Sequence, residues 1–267
     1  MMRFAPLLLL SAAPLAAQQG VTFRFTPPVG QVSVYRITTT SDVELGTGSR
    51  MSVEQMMYMT QRVTARERDV STVEVTIDSV SMTTSAGVPG PGPGERLQGM
   101  KSTMRIDALG RLVDIQYEDS TLQRVAAAFA GQLTGGSPGQ VLFAERPIAP
   151  GATWSDTGTT TISMEQGRME LRRDLTYRLE RLEARGRARV AVISVTGTLE
   201  QAMSLADGQG IPAMTSRGAV RGQVSFDLDA SRWADHEMVM TMVTESPMMP
   251  APMQMTMTVQ GELVGQN

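Results

Sequence analysis

The sequence predicts a mainly all-β protein: a curved antiparallel sheet or half-barrel, internally duplicated, with one amphipathic helix. Three observations lead to this prediction. Apolar and polar residues alternate along most of the chain, one segment has helical spacing instead, and the two halves carry similar motifs in the same order. Alternation with a period of two is typical of strands that have one buried face. About a dozen candidate strands can be counted, and open sheets beyond roughly ten strands tend to curl or split.

Two stretches show the alternation most clearly. In residues 51–65, Met51, Val53 and Met57 share one face and polar residues occupy the other. Residues 220–228 repeat the pattern. Between these two stretches, near Ser79, the alternation of apolar and polar residues shifts by one position. Such a shift predicts a β-bulge there.

The segment with helical spacing lies at about residues 120–133. Leu122 and Phe129 belong to its apolar stripe, which recurs every three or four residues. Ser120 occupies the N-cap position, and Gln123 completes a capping box with it. The pattern predicts an amphipathic helix that covers part of the concave face of the sheet.

The chain divides into a leader and two repeats. In each half a Pro-Gly type turn, at Gly30 and at Gly151, leads through an aromatic residue into a Thr-rich strand, then two long strands and a strand-turn-strand motif. A fixed motif order of this kind predicts an internal repeat. We expect a first β repeat at 18–145, which holds the helix, and a second at 146–267, packed with the first as one structural unit.

The leader, residues 1–17, is typical of a cleavable signal peptide. Arg3 supplies the positive start, residues 4–13 form an apolar run too short to span a bilayer, and small residues end at Ala17. Cleavage there would make Gln18 the first residue of the mature chain. The sequence therefore predicts an exported protein, periplasmic or extracellular.

Three short motifs together resemble a known group of proteins. They are the Pro-Gly lead into an aromatic residue, the Asp-x-x-Gly-Arg turn at 107–111 and the Pro-Gly-Ala-Thr-Trp restart at 150–154. They resemble an uncharacterised family of secreted bacterial proteins with an internally duplicated β domain, over most of the chain after the leader. The resemblance implies no activity and no site residues. By architecture alone, the expected sheet and helix are also similar to the periplasmic lipoprotein-carrier fold, which is an analogy.

Composition excludes several classes of function. The formal net charge is −3, which is the wrong sign for binding nucleic acid. The absence of cysteine excludes disulfides and thiolate metal sites. His236 is the only histidine, and we expect it in a solvated polar cluster, since one histidine makes no metal site. With no catalytic motif and no other long apolar stretch, we expect no enzyme, no cofactor, no metal site and no membrane-spanning segment.

Methionine gives the one unusual signal, with 21 residues. Two strands joined through residues 246–252 each carry methionine at alternate positions, with threonine in the opposite phase. We expect Met240 and Met255 to point to the interior of the sheet, because exposed thioethers are easily oxidised. The candidate ligand-binding residues are Met238, Met240, Met242, Met253, Met255 and Met257.

Three interpretations of these methionines remain open. They pack an ordinary core, they line a concave face that binds a lipid or other hydrophobic ligand, or they hold Cu(I) in the periplasm. The sequence favours an exported, non-enzymatic envelope protein that binds a hydrophobic ligand or a lipidated partner. The alternatives are a structural or protein-interaction module of the envelope with no ligand, and a Cu(I)-binding protein.

Overall fold

The computed structural model describes residues 20–44, 48–85, 97–118, 141–164, 167–205, 214–247 and 251–266. The predicted signal peptide and the helix predicted at about 120–133 lie outside these residues. The described chain forms one antiparallel sheet of eleven strands, so the all-β prediction is confirmed. Among the described residues, no helix is long and apolar enough to cross a bilayer. The strands are β1 (Val32–Glu44), β2 (Arg50–Glu67), β3 (Val70–Thr84), β4 (Lys101–Asp107), β5 (Leu112–Tyr117), β6 (Thr153–Met164), β7 (Gly167–Arg185), β8 (Ala188–Leu205), β9 (Met214–Asp227), β10 (Arg232–Glu245) and β11 (Met253–Gln266).

The sheet consists of two meanders joined side by side. Its strand order is β5-β4-β3-β2-β1-β11-β10-β9-β8-β7-β6, so each half runs through consecutive hairpins. The first strand of the chain pairs with the last, and Thr40 faces Thr258 at this junction. Strands β5 and β6 form the two edges and do not pair with each other, so the sheet is open.

Two local predictions are confirmed. The predicted hairpin pairs β10 with β11 in antiparallel register, with Met240 opposite Met257. The bulge predicted near Ser79 lies at Asp78, where Tyr58 faces Ser79 but the next residue of β2 faces Ile77. The extra residue in β3 explains why the apolar phase slips there.

Two non-strand segments, residues 20–28 and 141–150, connect the edges of the sheet at one end. Val21 and Ile148 exchange backbone hydrogen bonds of 2.8 and 2.9 Å, which ties the segments to each other. The Phe25 amide donates to the Ala108 carbonyl (2.8 Å) in the turn between β4 and β5 near one edge. Trp154, on the opposite edge strand β6, donates its indole N–H to the carbonyl of Leu142 (2.6 Å).

The core lies at this end of the sheet, which we call the aromatic end. Phe143 packs against Phe226 with ring centroids 4.8 Å apart and against Phe23 at 5.4 Å. One core cluster contains Val73 of β3 together with Tyr177 of β7, strands that lie near opposite edges. The Phe143 amide donates to the Leu109 carbonyl beside one edge (2.9 Å), and neighbouring Leu142 accepts from Trp154 on the other edge strand, so the sheet curves to bring its two edges to one short segment. The rings in mutual contact are Phe23, Phe143, Trp154, Tyr177, Phe226 and Trp233.

The two halves share a backbone arrangement at the start of their first strands. Gly30 donates its amide to the Val63 carbonyl (2.8 Å), and Gly151 donates to the Leu179 carbonyl (2.6 Å). Both glycines have positive φ, 90° and 83°, a conformation that favours glycine. A register shift follows directly after each acceptor residue, in the second strand of its half.

Candidate functional site

Directly paired residues on neighbouring strands form rows across the sheet, and the side chains of a row lie on the same face. Met240 is paired with Met257 on one side and with Val220 on the other. All three are buried, so their side of the sheet is the core side, which we call the concave face. Thr241 and Thr256 alternate with them and lie exposed on the opposite, convex face.

The six candidate methionines all fall on the concave face, but they differ in burial. Met240 and Met255 share this face as expected; Met240 is sealed, whereas Met255 is only half-buried. The six therefore extend from the core into a less covered part of the sheet, and their binding of a ligand stays a prediction. Met238, Met240 and Met257 are 2, 4 and 2% exposed, and Met242, Met253 and Met255 are half-buried.

On β10, β11 and β2 burial decreases at one row, which we call the Met242 row; in the row beyond it Leu171 and Thr244 are again buried. Within it Leu199 is still buried, Met242 and Met255 are half-buried, and Met51 is 48% exposed. Accessible apolar surface therefore continues directly from the sealed core. From β6 to β2 the row consists of Gly158, Arg173, Leu199, Gly218, Met242, Met255, Val43 and Met51.

Glycines on β9 make room for the long methionine side chains of β10. Gly222 is paired with Met238, and Gly218 is paired with Met242. A Cβ atom at either glycine would collide with a carbonyl oxygen of β10. The backbones of β9 and β10 therefore approach as only glycine permits, which favours curvature at this point of the sheet.

An ion pair lies within the apolar concave face. Arg173 takes the position between Leu171 and Leu175 on β7, and its Nε lies 2.5 Å from Oδ2 of Asp156 on β6. Its Nη1 donates to the hydroxyl of Thr160 at 3.2 Å. Only 21% of the arginine side chain and 16% of the aspartate side chain are exposed. Sequence reasoning missed this pair, although an arginine in the apolar phase of an alternating strand was a visible signal.

Polar groups border the Met242 row on the side away from the aromatic end. The next row contains Gln201, Ser216 and Thr244, which are directly paired across β8, β9 and β10. The hydroxyls of Ser216 and Thr244 lie 2.8 Å apart and share a hydrogen bond. The amide of Gln201 donates to the sulfur of Met169 at 2.9 Å. This end of the concave face thus has an apolar floor and a polar margin.

His236 lies on the concave face, two positions before Met238 on β10 and opposite Gly261 on β11. A Cβ at Gly261 would collide with the imidazole, so the ring fills the space that the glycine leaves. Burial lowers the pKa of His236 to about 4, and the charge of Asp235 opposes this shift only in part. His236 thus borders a polar groove beside Asp235, but it is half-buried and not fully solvated as the sequence predicted, because strand alternation turns the ring inward. Within the described part of the chain, no group of three or more His, Asp or Glu side chains is arranged to hold a metal ion.

A polar groove of about 300 Å³ lies across β1, β11, β10 and β9. Most of its lining side chains occupy the positions that alternate with the concave-face residues. Arg36 forms an ion pair with Glu262 in its wall. These side chains are charged or polar, so the groove does not extend the apolar surface of the methionines.

Comparison with known proteins identifies a fold and no family. No family model matches the sequence, and no curated protein matches it. The chain is similar to lipovitellin, in a structure concerned with lipid–protein interactions in that protein, with a TM-score of 0.55 and 12% identity over 91% of this chain. The match covers 26% of the lipovitellin chain, so this chain spans about a quarter of it, and the likeness is one of fold alone. DynF, from the dynemicin biosynthesis pathway of Micromonospora chersina, matches 97% of this chain and 92% of its own at 10% identity, and its TM-score of 0.24 supports no argument.

Proposed function

We propose that the concave face at the Met242 row binds a hydrophobic ligand, such as a lipid or the acyl chain of a lipidated partner, without catalysis. The observation that carries the proposal is the partial burial of Met242 and Met255, which continue the fully buried surface of Met240 and Met257. Thioethers are unbranched and polarizable, so such a surface adapts to irregular apolar ligands. A fold shared with a protein whose structure concerns lipid–protein interactions supports the same proposal.

The experiment measures binding of the uncharged fluorescent probe N-phenyl-1-naphthylamine. Wild type should bind it, and Met242→Glu combined with Met255→Glu should abolish binding while the protein stays folded, at a cost of about 2 kcal/mol in the free energy of unfolding. Both side chains are half-buried, so the new carboxylates can remain hydrated. Thr241→Glu, on the convex face of the same strand, is the matched control and should bind normally.

A companion variant separates the core from the binding surface. Met240→Glu would bury an unpaired carboxylate at a position that is 4% exposed and should unfold the protein. Probe binding that survives the Met242→Glu and Met255→Glu double variant would refute the proposal. A wild type that binds no probe would favour the alternative, a structural or interaction module with a filled core.

Cu(I) binding remains the second candidate. Met240 faces Met257 and Met242 faces Met255, so thioethers from two strands are directly paired, as a Cu(I) site requires. Met242→Leu conserves volume and apolar character but removes the sulfur. If Met242→Leu no longer takes Cu(I) from bicinchoninate but still binds the probe, the result favours a Cu(I) site. If wild type leaves the Cu(I)–bicinchoninate complex intact, a Cu(I) site is excluded.

The proposal includes export and internal duplication. Export depends on the leader at residues 1–17, and N-terminal sequencing of the secreted protein should begin at or near Gln18. A mature chain that keeps Met1 in the membrane fraction would contradict it. Duplication of 18–145 and 146–267 is supported by the equivalent glycine contacts in the two halves.

A further inference from the structure

The ion pair of Asp156 and Arg173 occupies a part of the concave face that is otherwise uncharged. Four successive rows cross β6 to β11 here, those of Trp154, Asp156, Gly158 and Thr160. Apart from the ion pair, the described concave-face positions in these rows hold apolar side chains, glycines, side chains with a hydroxyl and one amide side chain. None of these carries a charge. A charge pair with both members largely buried therefore interrupts a surface built from uncharged side chains.

Burial of an ion pair is by itself weak evidence that the pair stabilises the fold. Removing two charges from water costs several kcal/mol per ion, and the attraction between them repays this cost only when the remaining donors and acceptors are satisfied. Arg173 keeps one donor available: Nε bonds Asp156 and Nη1 bonds Thr160, but Nη2 has no protein hydrogen-bond partner in the described part of the chain and is not sealed from solvent. Replacing a buried ion pair by well-packed apolar residues is often neutral or stabilising, so the pair is a candidate for a role in ligand binding.

The free donor is accessible from the binding surface. Gly158 is paired with Arg173, and a Cβ there would lie 3.3 Å from Nη2, so the glycine leaves this nitrogen without a side chain in front of it. Arg173 also belongs to the Met242 row, three strands from Met242 itself. At the usual strand spacing this separation is about 14 Å along the sheet. A long alkyl chain that starts at Arg173 would pass Leu199 and reach the half-buried methionines.

We propose that Arg173 binds the carboxylate of a fatty acid whose alkyl chain lies along the Met242 row. A guanidinium matches a carboxylate in geometry, and charge-assisted hydrogen bonds are stronger where water is largely excluded. Asp156 offsets the charge of Arg173, so the ligand carboxylate is held by the available Nη2 donor and not by an excess of positive charge. Asp156 would repel a doubly charged phosphate about twice as strongly as a singly charged carboxylate, which favours the carboxylate. This inference rests on the proposed function and names its ligand class.

The test compares cis-parinaric acid with its methyl ester, two fluorescent ligands that share one chain and differ in the charge of the head. Wild type should bind the acid about ten times more tightly than the ester. Asp156→Asn combined with Arg173→Gln removes both charges without leaving one unpaired, and should lower the affinity for the acid to that for the ester. The affinity for the ester should not change.

Arg172→Gln is the matched control. Arg172 precedes Arg173, lies on the convex face and pairs with Glu170 at 2.8 Å, so its loss should leave both affinities unchanged. Should the double variant fail to fold, Gly158→Val tests the same contact, because a side chain there covers Nη2. It should weaken binding of the acid and spare the ester.

Equal affinities of wild type for acid and ester would overturn the inference, as would an advantage of the acid that persists in the double variant. In both cases binding of N-phenyl-1-naphthylamine by wild type would leave the proposed function intact. If wild type binds none of the three ligands, the proposed function itself is refuted, and the inference about Arg173 is refuted with it. Dodecyl phosphate that displaces cis-parinaric acid better than dodecanoic acid does would overturn the choice of a carboxylate.

Discussion

The aromatic end and the methionine end of the concave face are built from the same strands but differ in what covers them. At the aromatic end, residues 20–28 and 141–150 lie against the sheet, and Phe226 is 1% exposed. The methionine end consists of the Met242 row and the row beyond it. There Met242 and Met255 are half-buried. Strand alternation therefore decides which face a side chain takes, while the segments that pack on that face decide how deeply it is buried.

The two ends also differ in the side chains that fill them. Trp154 and Tyr177 are large and rigid, and their rings stack with centroids 5.4 Å apart. Burial, with the nearby charge of Asp156, raises the pKa of Tyr177 to about 12. Methionine has a flexible chain without branches and fills irregular space. One end is thus suited to a single fixed packing and the other to a variable occupant.

The largest effect expected from this comparison is the loss of a ring at the aromatic end. Phe143→Ala should lower the free energy of unfolding by about 3–5 kcal/mol, because Phe143 is 4% exposed and contacts three other rings. Met255→Ala, at the half-buried end, should cost about 1 kcal/mol. Urea denaturation measures both values, and equal losses would mean that the two ends are equally well packed.

The pH dependence of stability should reveal the inward position of His236. The pKa is about 4 in the folded protein and 6.5 in the unfolded chain, so the unfolded chain binds more protons between these values. The contribution is therefore fully present above pH 6.5 and is lost as the pH falls towards 4, by about 3 kcal/mol at most.

Urea midpoints between pH 6.5 and 4.5 measure this loss, with His236→Gln as the control. The variant should show a smaller decline over the same range. A decline of the same size in both proteins would place the ring in solvent and contradict the assignment to the concave face.

The smallest effect concerns the glycines. Gly222→Ala should cost about 1–3 kcal/mol, because its Cβ would collide with the backbone of β10 and the strands would have to separate. Gly158→Ala should change stability by less than about 0.5 kcal/mol, since its Cβ meets only the movable guanidinium of Arg173. A Gly222→Ala variant as stable as wild type would show that the close approach of β9 to β10 is not needed.

Much of the candidate site could be predicted from sequence, because period-two alternation is a local property. It placed Met240 and Met257 on one face of a hairpin, and the register confirms the pairing. The same alternation contains the information for Arg173 and His236, whose inward positions follow from their phase. Both were missed because a charged or titratable side chain is expected to lie in water, and only the partners Asp156 and Gly261 make the inward position acceptable.

The sequence by itself determined the strand type, the faces, the β10–β11 hairpin and the bulge at Asp78. Tertiary structure alone decided that β1 pairs with β11, which strands form the edges, and where the sealed core ends. Every strand carries the same period, so alternation cannot name a strand's distant partner; Glu44 faces Gln254 across most of the chain's length. Burial depends on segments such as 141–150, whose place over the aromatic end is fixed by long-range contacts and not by local pattern.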